Sequence, residues 1–336
     1  MAYKKMRNMA LALGLAACGG ARGATVQVAL VNMADDMEIT VAAGDRYEIC
    51  TLSSADIHTL TKKGEGDLYV GRVTSTHPRI SLQGGRLFVG PKLTEPAVLA
   101  SADFHVDAND VDSMTIVESD GKQYVTRWND VNGGAHYAYN DTPGVQPWLT
   151  TTENGNRMLD FGSLKNTDVT SGYGGYLLFD SKITGVRAAV CVQKFLPETI
   201  EAPESICSQG ISCYDQCVFT PYTKSAGNGP SYANKWQGFT RQVRETDDNG
   251  GLGGSISVNG NVLSSVVTAA SSDIEVVGYN IVEPEAGGTD YGSANRFARN
   301  FRDASAGGMM IGEAAIFTTA LTDDQRRLLD HYLMAK

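Results

Sequence analysis

The stretch Gly312–Lys336, GEAAIFTTALTDDQRRLLDHYLMAK, reads as an apolar strand, a turn opened by threonine and a short amphipathic helix. Thr322 followed three residues later by Gln325 is a capping-box pair, in which each side chain satisfies a backbone N–H that the helix start leaves open. Asp323 and Asp324 suit the positive end of the helix dipole, and Leu328, Leu329, Tyr332 and Leu333 fall on one face. A strand running directly into a capped helix with one apolar face predicts that the helix docks on the sheet.

Upstream, apolar or alternating runs separated by turns read as strands. Leu177–Phe179 and Gly185–Val192 are inner strands, and Val258-Asn259-Gly260-Asn261-Val262 is a hairpin whose Asn-Gly supplies positive φ. Three further stretches belong with the closing one: Phe104–Ala108 (FHVDA), Tyr124–Asp130 (YVTRWND) and Gly172–Asp180 (GYGGYLLFD). Together with G-E-x-x-I-F-x-x-A-L-T at the end, they resemble the concanavalin A-like lectin/glucanase superfamily in its laminin-G-like bacterial form, over about residues 103 to 336. The resemblance implies an all-β, two-sheet antiparallel jelly-roll sandwich closed by a short C-terminal helix. It also implies a structural place for His105 and a core place for Trp128. Such sandwiches serve as lectins, adhesion modules and hydrolases, so function must come from the site.

Residues 25–100 precede the sandwich, which is assigned to 101–336. Here Asp67-Leu68-Tyr69-Val70-Gly71 recurs as Arg86-Leu87-Phe88-Val89-Gly90, with glycines before each copy. Leu60 to Gly90 resembles the autotransporter-associated β-strand repeat. The expectation is a small β-solenoid-like segment, or a plain hairpin, because two strand pairs do not bury a solenoid core.

Residues 1–24 read as a signal peptide: Lys4, Lys5 and Arg7 are followed by an apolar run from Met9 to Ala17 too short to span a bilayer. Leu15-Ala16-Ala17-Cys18 also reads as a lipobox with Cys18 as lipid anchor, the alternative being cleavage near Gly23 or Ala24. Both routes place the chain outside a bacterial cell or on its surface, and a lipid on Cys18 is the only membrane contact expected. With 38 acidic against 28 basic residues and a formal charge of -10, nucleic acid is excluded as a partner, because phosphate binding needs a basic face. Cys191, Cys207, Cys213 and Cys217 are disulfide candidates of open connectivity in an oxidising compartment, while Cys50 is odd and reads as a buried small hydrophobe.

Chemistry is sparse. No E-x-D-x-x-E strand is present; Asp273-Ile274-Glu275 is the nearest carboxylate pair, and none of the five histidines sits in a nucleophile context. No catalytic residue and no cofactor are therefore assigned. Calcium is a habit of the resembled family, but the acidic loops 107–110 and 247–250 lack metal-loop spacing and read as turns, so no metal ligand is assigned. Aromatics beside amide and carboxylate groups suit sugars, whose apolar faces stack on rings. Trp148, Trp236, Tyr232, Asn234 and Tyr137 are the ligand candidates, the last beside Asn129, Asp130, His136 and Tyr139. The expected function is a non-catalytic exported module that binds carbohydrate or another extracellular polymer. A structural adhesion or assembly protein is the alternative, and glycoside hydrolysis is a more distant one.

Overall fold

The computed structural model describes residues 23–90, 94–163, 165–166, 175–196 and 305–336, and shorter pieces at 211–212, 216–217, 220–222, 235–237, 240–241, 255–258, 261–264, 266–268, 280–285 and 292–299. The chain divides into two compact units between Leu93 and Thr94. This boundary precedes the expected one at residue 100 because Val98 and Leu99, in the 3-10 turn Ala97–Ser101, are buried in the second unit's core.

The first unit is a β-solenoid-like stack and not a hairpin: its strands β1 (Thr25–Met33), β2 (Met37–Thr40), β3 (Arg46–Ser54), β4 (Thr59–Lys63), β5 (Asp67–Val73), β6 (Arg79–Leu82) and β7 (Arg86–Val89) form two parallel sheets, ordered β1-β3-β5-β7 and β2-β4-β6. Thr25 lies on Arg46, Arg46 on Asp67 and Asp67 on Arg86, so each turn of chain returns one strand directly above the last. Alternate residues point inward, and Ile49, Leu52, Leu60, Leu68 and Val70 are fully buried between the sheets. Lys62 occupies one of these inward positions with no exposed surface. Its ammonium donates to Gly84 O at 2.7 Å and to Gly64 O, which satisfies the charge inside the stack. At the far end the inward column stays open, with Leu82 48% and Val89 66% exposed.

The corners are tight enough to demand glycine at one position in particular. A Cβ on Gly66 would lie 2.2 Å from Ala42 O and 2.6 Å from Val41 Cγ1, both in the rung below. Gly66→Ala is therefore expected to destabilise the first unit by about 1–3 kcal/mol or more through forced backbone shifts, read as an earlier unfolding transition of that unit in thermal melts.

The second unit is antiparallel throughout its described pairings. Its strands are β8 (Phe104–Asp107), β9 (Met114–Ser119), β10 (Lys122–Asn129), β11 (Tyr137–Tyr139), β12 (Trp148–Thr151), β13 (Arg157–Asp160), β14 (Lys165–Asn166), β15 (Leu177–Val186), β16 (Ala188–Phe195), β17 (Ile211–Ser212), β18 (Gln216–Cys217), β19 (Thr220–Tyr222), β20 (Lys235–Gln237), β21 (Thr240–Arg241), β22 (Ser255–Val258), β23 (Asn261–Ser264), β24 (Val266–Thr268), β25 (Asn280–Glu285), β26 (Gly292–Phe297), β27 (Ser305–Ala306) and β28 (Met309–Phe317). The main sheet runs β17-β26-β15-β11-β10-β12-β13-β28-β16-β25-β22-β23, with β8 beside β28 and β9 beside β10. Val258 pairs with Asn261, as the Asn-Gly hairpin reading requires; the two turn residues lie outside the described residues.

Strand β10 is where this sheet turns over. One of its edges is taken by β9, while β11 pairs with residues 127–129 and β12 with Tyr124, the two halves being separated by a bulge between Val125 and Arg127. Bulges bend strands and let one strand serve two layers. The two ends of the sheet consequently share one core: the Phe104 ring on β8 lies 5.0 Å from Phe179 on β15 and 6.1 Å from Phe297 on β26, and Trp128 on β10 lies 5.9 Å from Phe297. Trp128 is fully buried there.

Helix α1 (Asp323–Ala335) closes the unit. Its capping box forms as read: the Gln325 N–H donates to Thr322 Oγ1 at 3.2 Å and the Thr322 N–H to Gln325 Oε1 at 2.8 Å. Leu329 and Leu333 are buried, with Tyr332 beside them, against Val190, Ala315 and Phe317 on the opposite face of β16 and β28 from the main core. Leu328 is a correction: it is half-buried and lies outside this cluster, one position off the docking face.

Candidate functional site

Tyr137 and Tyr139 flank Ala138, which is buried in the core, so the alternation of β11 turns both rings to the outer face of the sheet. Register then decides their neighbours. Arg127 lies opposite Tyr139 and Asn129 opposite Tyr137 on β10, and Leu178 lies opposite Tyr139 on β15. The Arg127 guanidinium sits 3.5 Å from the centre of the Tyr137 ring, and its Nε donates to Asn129 Oδ1 at 2.7 Å. The two tyrosine rings are 5.7 Å apart.

Asp180 closes one side of this face. It accepts from the Tyr137 N–H at 3.1 Å and from Ser181 Oγ at 2.9 Å, and lies 3.1 Å from His136 Nδ1. Burial opposes its charge, but the hydrogen bonds from Tyr137, His136 and Ser181 more than offset that and hold its pKa below the ordinary aspartate value. The trio does not form a nucleophile relay: Ser181 and Asp180 both meet the same imidazole nitrogen, so His136 cannot pass a proton from one to the other.

Trp148 belongs to a separate cluster on β12. Leu149 next to it packs on the core, so Trp148 faces outward, half-buried, with Tyr124 edge-on at 6.4 Å and the Lys122 ammonium 3.5 Å above its ring. Gly162, at φ +68, passes beneath the indole, where a Cβ would come within 3.1 Å. Trp236 lies on β20 between Pro221 and Val267 in a three-stranded sheet that does not include the strands carrying Tyr137 and Trp148. Tyr232 and Asn234 lie outside the described residues, as do Cys18, Cys207, Cys213, the Asp273–Glu275 pair and the acidic loop 247–250. Cys217 is in β18. Cys191 is corrected: it is a free thiol buried on β16 among the core side chains, where the low-polarity surroundings push its pKa up. Cys50 is free and buried.

Behind β8 and β28 lies a partly buried ionic cluster. His105 Nε2 is 2.8 Å from Glu313 Oε1, and Lys336 Nζ donates to Glu313 Oε2 at 2.6 Å and to Asp107 Oδ2 at 2.5 Å. Asp107 Oδ1 accepts from the Asn109 N–H at 2.9 Å, which is turn formation and not an open cation loop. Among the described residues no group of three or more His, Cys, Asp and Glu is placed to hold a metal ion. Lys336 is shared between Asp107 and Glu313, and Glu313 also meets His105.

Arg127, Asp180, Ser181, Lys122 and Tyr124 were not singled out from the sequence. A signal was present for part of this: Tyr-Ala-Tyr on a short strand puts two rings on one face. Comparison with protein-family models, curated proteins and solved structures returns no match to this chain.

Proposed function

We propose that this chain is an exported, non-catalytic module that binds carbohydrate through the outer face of β10, β11 and β15, carried on a jelly-roll sandwich of the concanavalin A-like kind. The observation behind this reading is the pair Tyr137 and Tyr139, two rings turned out from a rigid sheet and bordered by Arg127, Asn129, His136 and Asp180. A pyranose lays its C–H face on such rings, and groups at the border meet its hydroxyls. Rings fixed on a strand lose little freedom on binding, which favours affinity. The His136, Asp180 and Ser181 arrangement supports binding over turnover, because it orients the loop and the carboxylate without preparing a nucleophile. Export, with or without a lipid on Cys18, would place the face where extracellular polymers are.

The test is affinity electrophoresis and calorimetry against a panel of polysaccharides. Tyr137→Ala and Tyr139→Ala should each weaken binding by about 1–3 kcal/mol, as loss of an aromatic contact does, with the melting temperature nearly unchanged. Trp148→Ala separates the second cluster from the first: unaltered affinity would leave the β11 face as the site. If no polysaccharide binds, or if both tyrosine variants bind as the wild type does, the reading is wrong and the structural adhesion alternative takes its place.

A further inference from the structure

We propose that the glycan taken by this face carries carboxylate groups and that Arg127 is the residue that reads them, an inference that rests on the carbohydrate-binding reading above. Group by group, the carboxylate and amide oxygens of this face are already engaged. Asp180 is engaged by the Tyr137 N–H, His136 and Ser181. Asn129 accepts from Arg127 Nε and donates from Nδ2 to Ser113 O at 2.7 Å. What remains is the exposed outer edge of the Arg127 guanidinium, whose Nη groups have no hydrogen-bond or carboxylate partner among the described residues, together with His136 Nε2 and the hydroxyls of Tyr137 and Tyr139.

Acidic residues outnumber basic ones 38 to 28, and Arg46, Lys63, Arg86, Arg326, Arg327 and Lys336 each hold a carboxylate. Arg127 holds none among the described residues, although it is not a free-swinging surface side chain: the Tyr137 ring supports its plane and Asn129 fixes its Nε. A guanidinium oriented in advance offers two parallel N–H donors to a carboxylate, and much of the ordering that such a pair requires is already done. Lys122 repeats the arrangement on Trp148, a cation over a ring with no acidic partner among the described residues. The net charge of -10 does not forbid an acidic ligand, because charges farther apart than a Debye length of about 8 Å are largely screened at physiological salt.

Polygalacturonate and its fully methyl-esterified form supply the test, since esterification removes the charge and leaves the sugar chain. The wild type should bind the acid form about tenfold more tightly than the ester, and added salt should erode the difference. Arg127→Gln should lose that preference with little change on the ester, and Arg127→Lys, which keeps the charge without the fork, should fall between them, all at unchanged melting temperature. Equal affinity for acid and ester, with both weakened by Tyr137→Ala, would overturn the carboxylate inference and leave the carbohydrate reading standing. A preference for the acid that survives Arg127→Gln would overturn the assignment to Arg127. Binding to neither polymer, nor to any neutral polysaccharide, would remove both.

Discussion

Trp128→Ala should lower the stability of the second unit by about 3–5 kcal/mol in a urea titration, the range for truncating a fully buried large aromatic. Trp128 is fully buried, packed on Phe297, on the strand that joins the two halves of the sheet. The cavity would therefore open where the layers meet. Its indole N–H has no hydrogen-bond partner among the described residues, so Trp128→Phe sacrifices no bond seen there and should cost clearly less. If the alanine variant unfolds at the wild-type midpoint, Trp128 is not the core anchor described here. Any loss of glycan binding in that variant should track the loss of folded protein.

Lys336→Met should destabilise the same unit by about 3 kcal/mol, because it removes the cation shared by the buried Glu313 and the half-buried Asp107. Adding Glu313→Gln should recover part of the loss, since the charge left behind is then gone. The cluster also fixes a pH response. Burial lowers the Lys336 pKa, but Glu313 and Asp107 more than reverse that, so the folded value is raised. A raised folded pKa means that its stabilisation is complete below the ordinary lysine value of about 10.4 and is lost as pH climbs through the folded value. Tyr332, pushed up to about 12 by burial and by Glu313, has the same sign, with its loss starting near the ordinary tyrosine value of about 10. The buried thiol of Cys191, raised by burial alone, begins to contribute lower still, from about pH 8.5. Stability should thus be flat near neutral pH and fall in alkali. In Lys336→Met the part of the fall above about pH 10 should shrink. A wild type equally stable at neutral pH and in strong alkali would contradict the cluster.

The closing strand and helix were legible because their signals are local: the capping box needs only Thr322 and Gln325, and the docking face needs only helical periodicity. Leu328 was misplaced because periodicity gives a face's width and not the rotation at which a helix settles. The solenoid was half legible. Its third and fourth rungs share Leu, an aromatic and Val at matched positions, whereas Thr25-Val26-Gln27-Val28 and Arg46-Tyr47-Glu48-Ile49 share only the inward alternation, which many strands have. The candidate site was least legible. Tyr137, Arg127 and Asp180 meet through antiparallel register across three strands, and register across a sequence separation of 43 is not written in any one stretch. Cys191 was misread because cysteine spacing says nothing about which way a strand residue faces.

The first unit repeats at a nearly constant chain length, with Thr25, Arg46, Asp67 and Arg86 stacked in one line, the first two turns equal and the last one shorter by two residues. Each turn adds about 4.8 Å of height and touches only the turns above and below it. Asp45 and Asp67 occupy the same corner, where the Asp67 N–H already donates to Asp45 O at 2.9 Å. Excision of the intervening turn would rejoin the chain in phase. The unit is thus a ruler graduated in whole turns: its length changes in steps of one strand spacing, and the Val89 end, still open, marks where the next graduation would be cut.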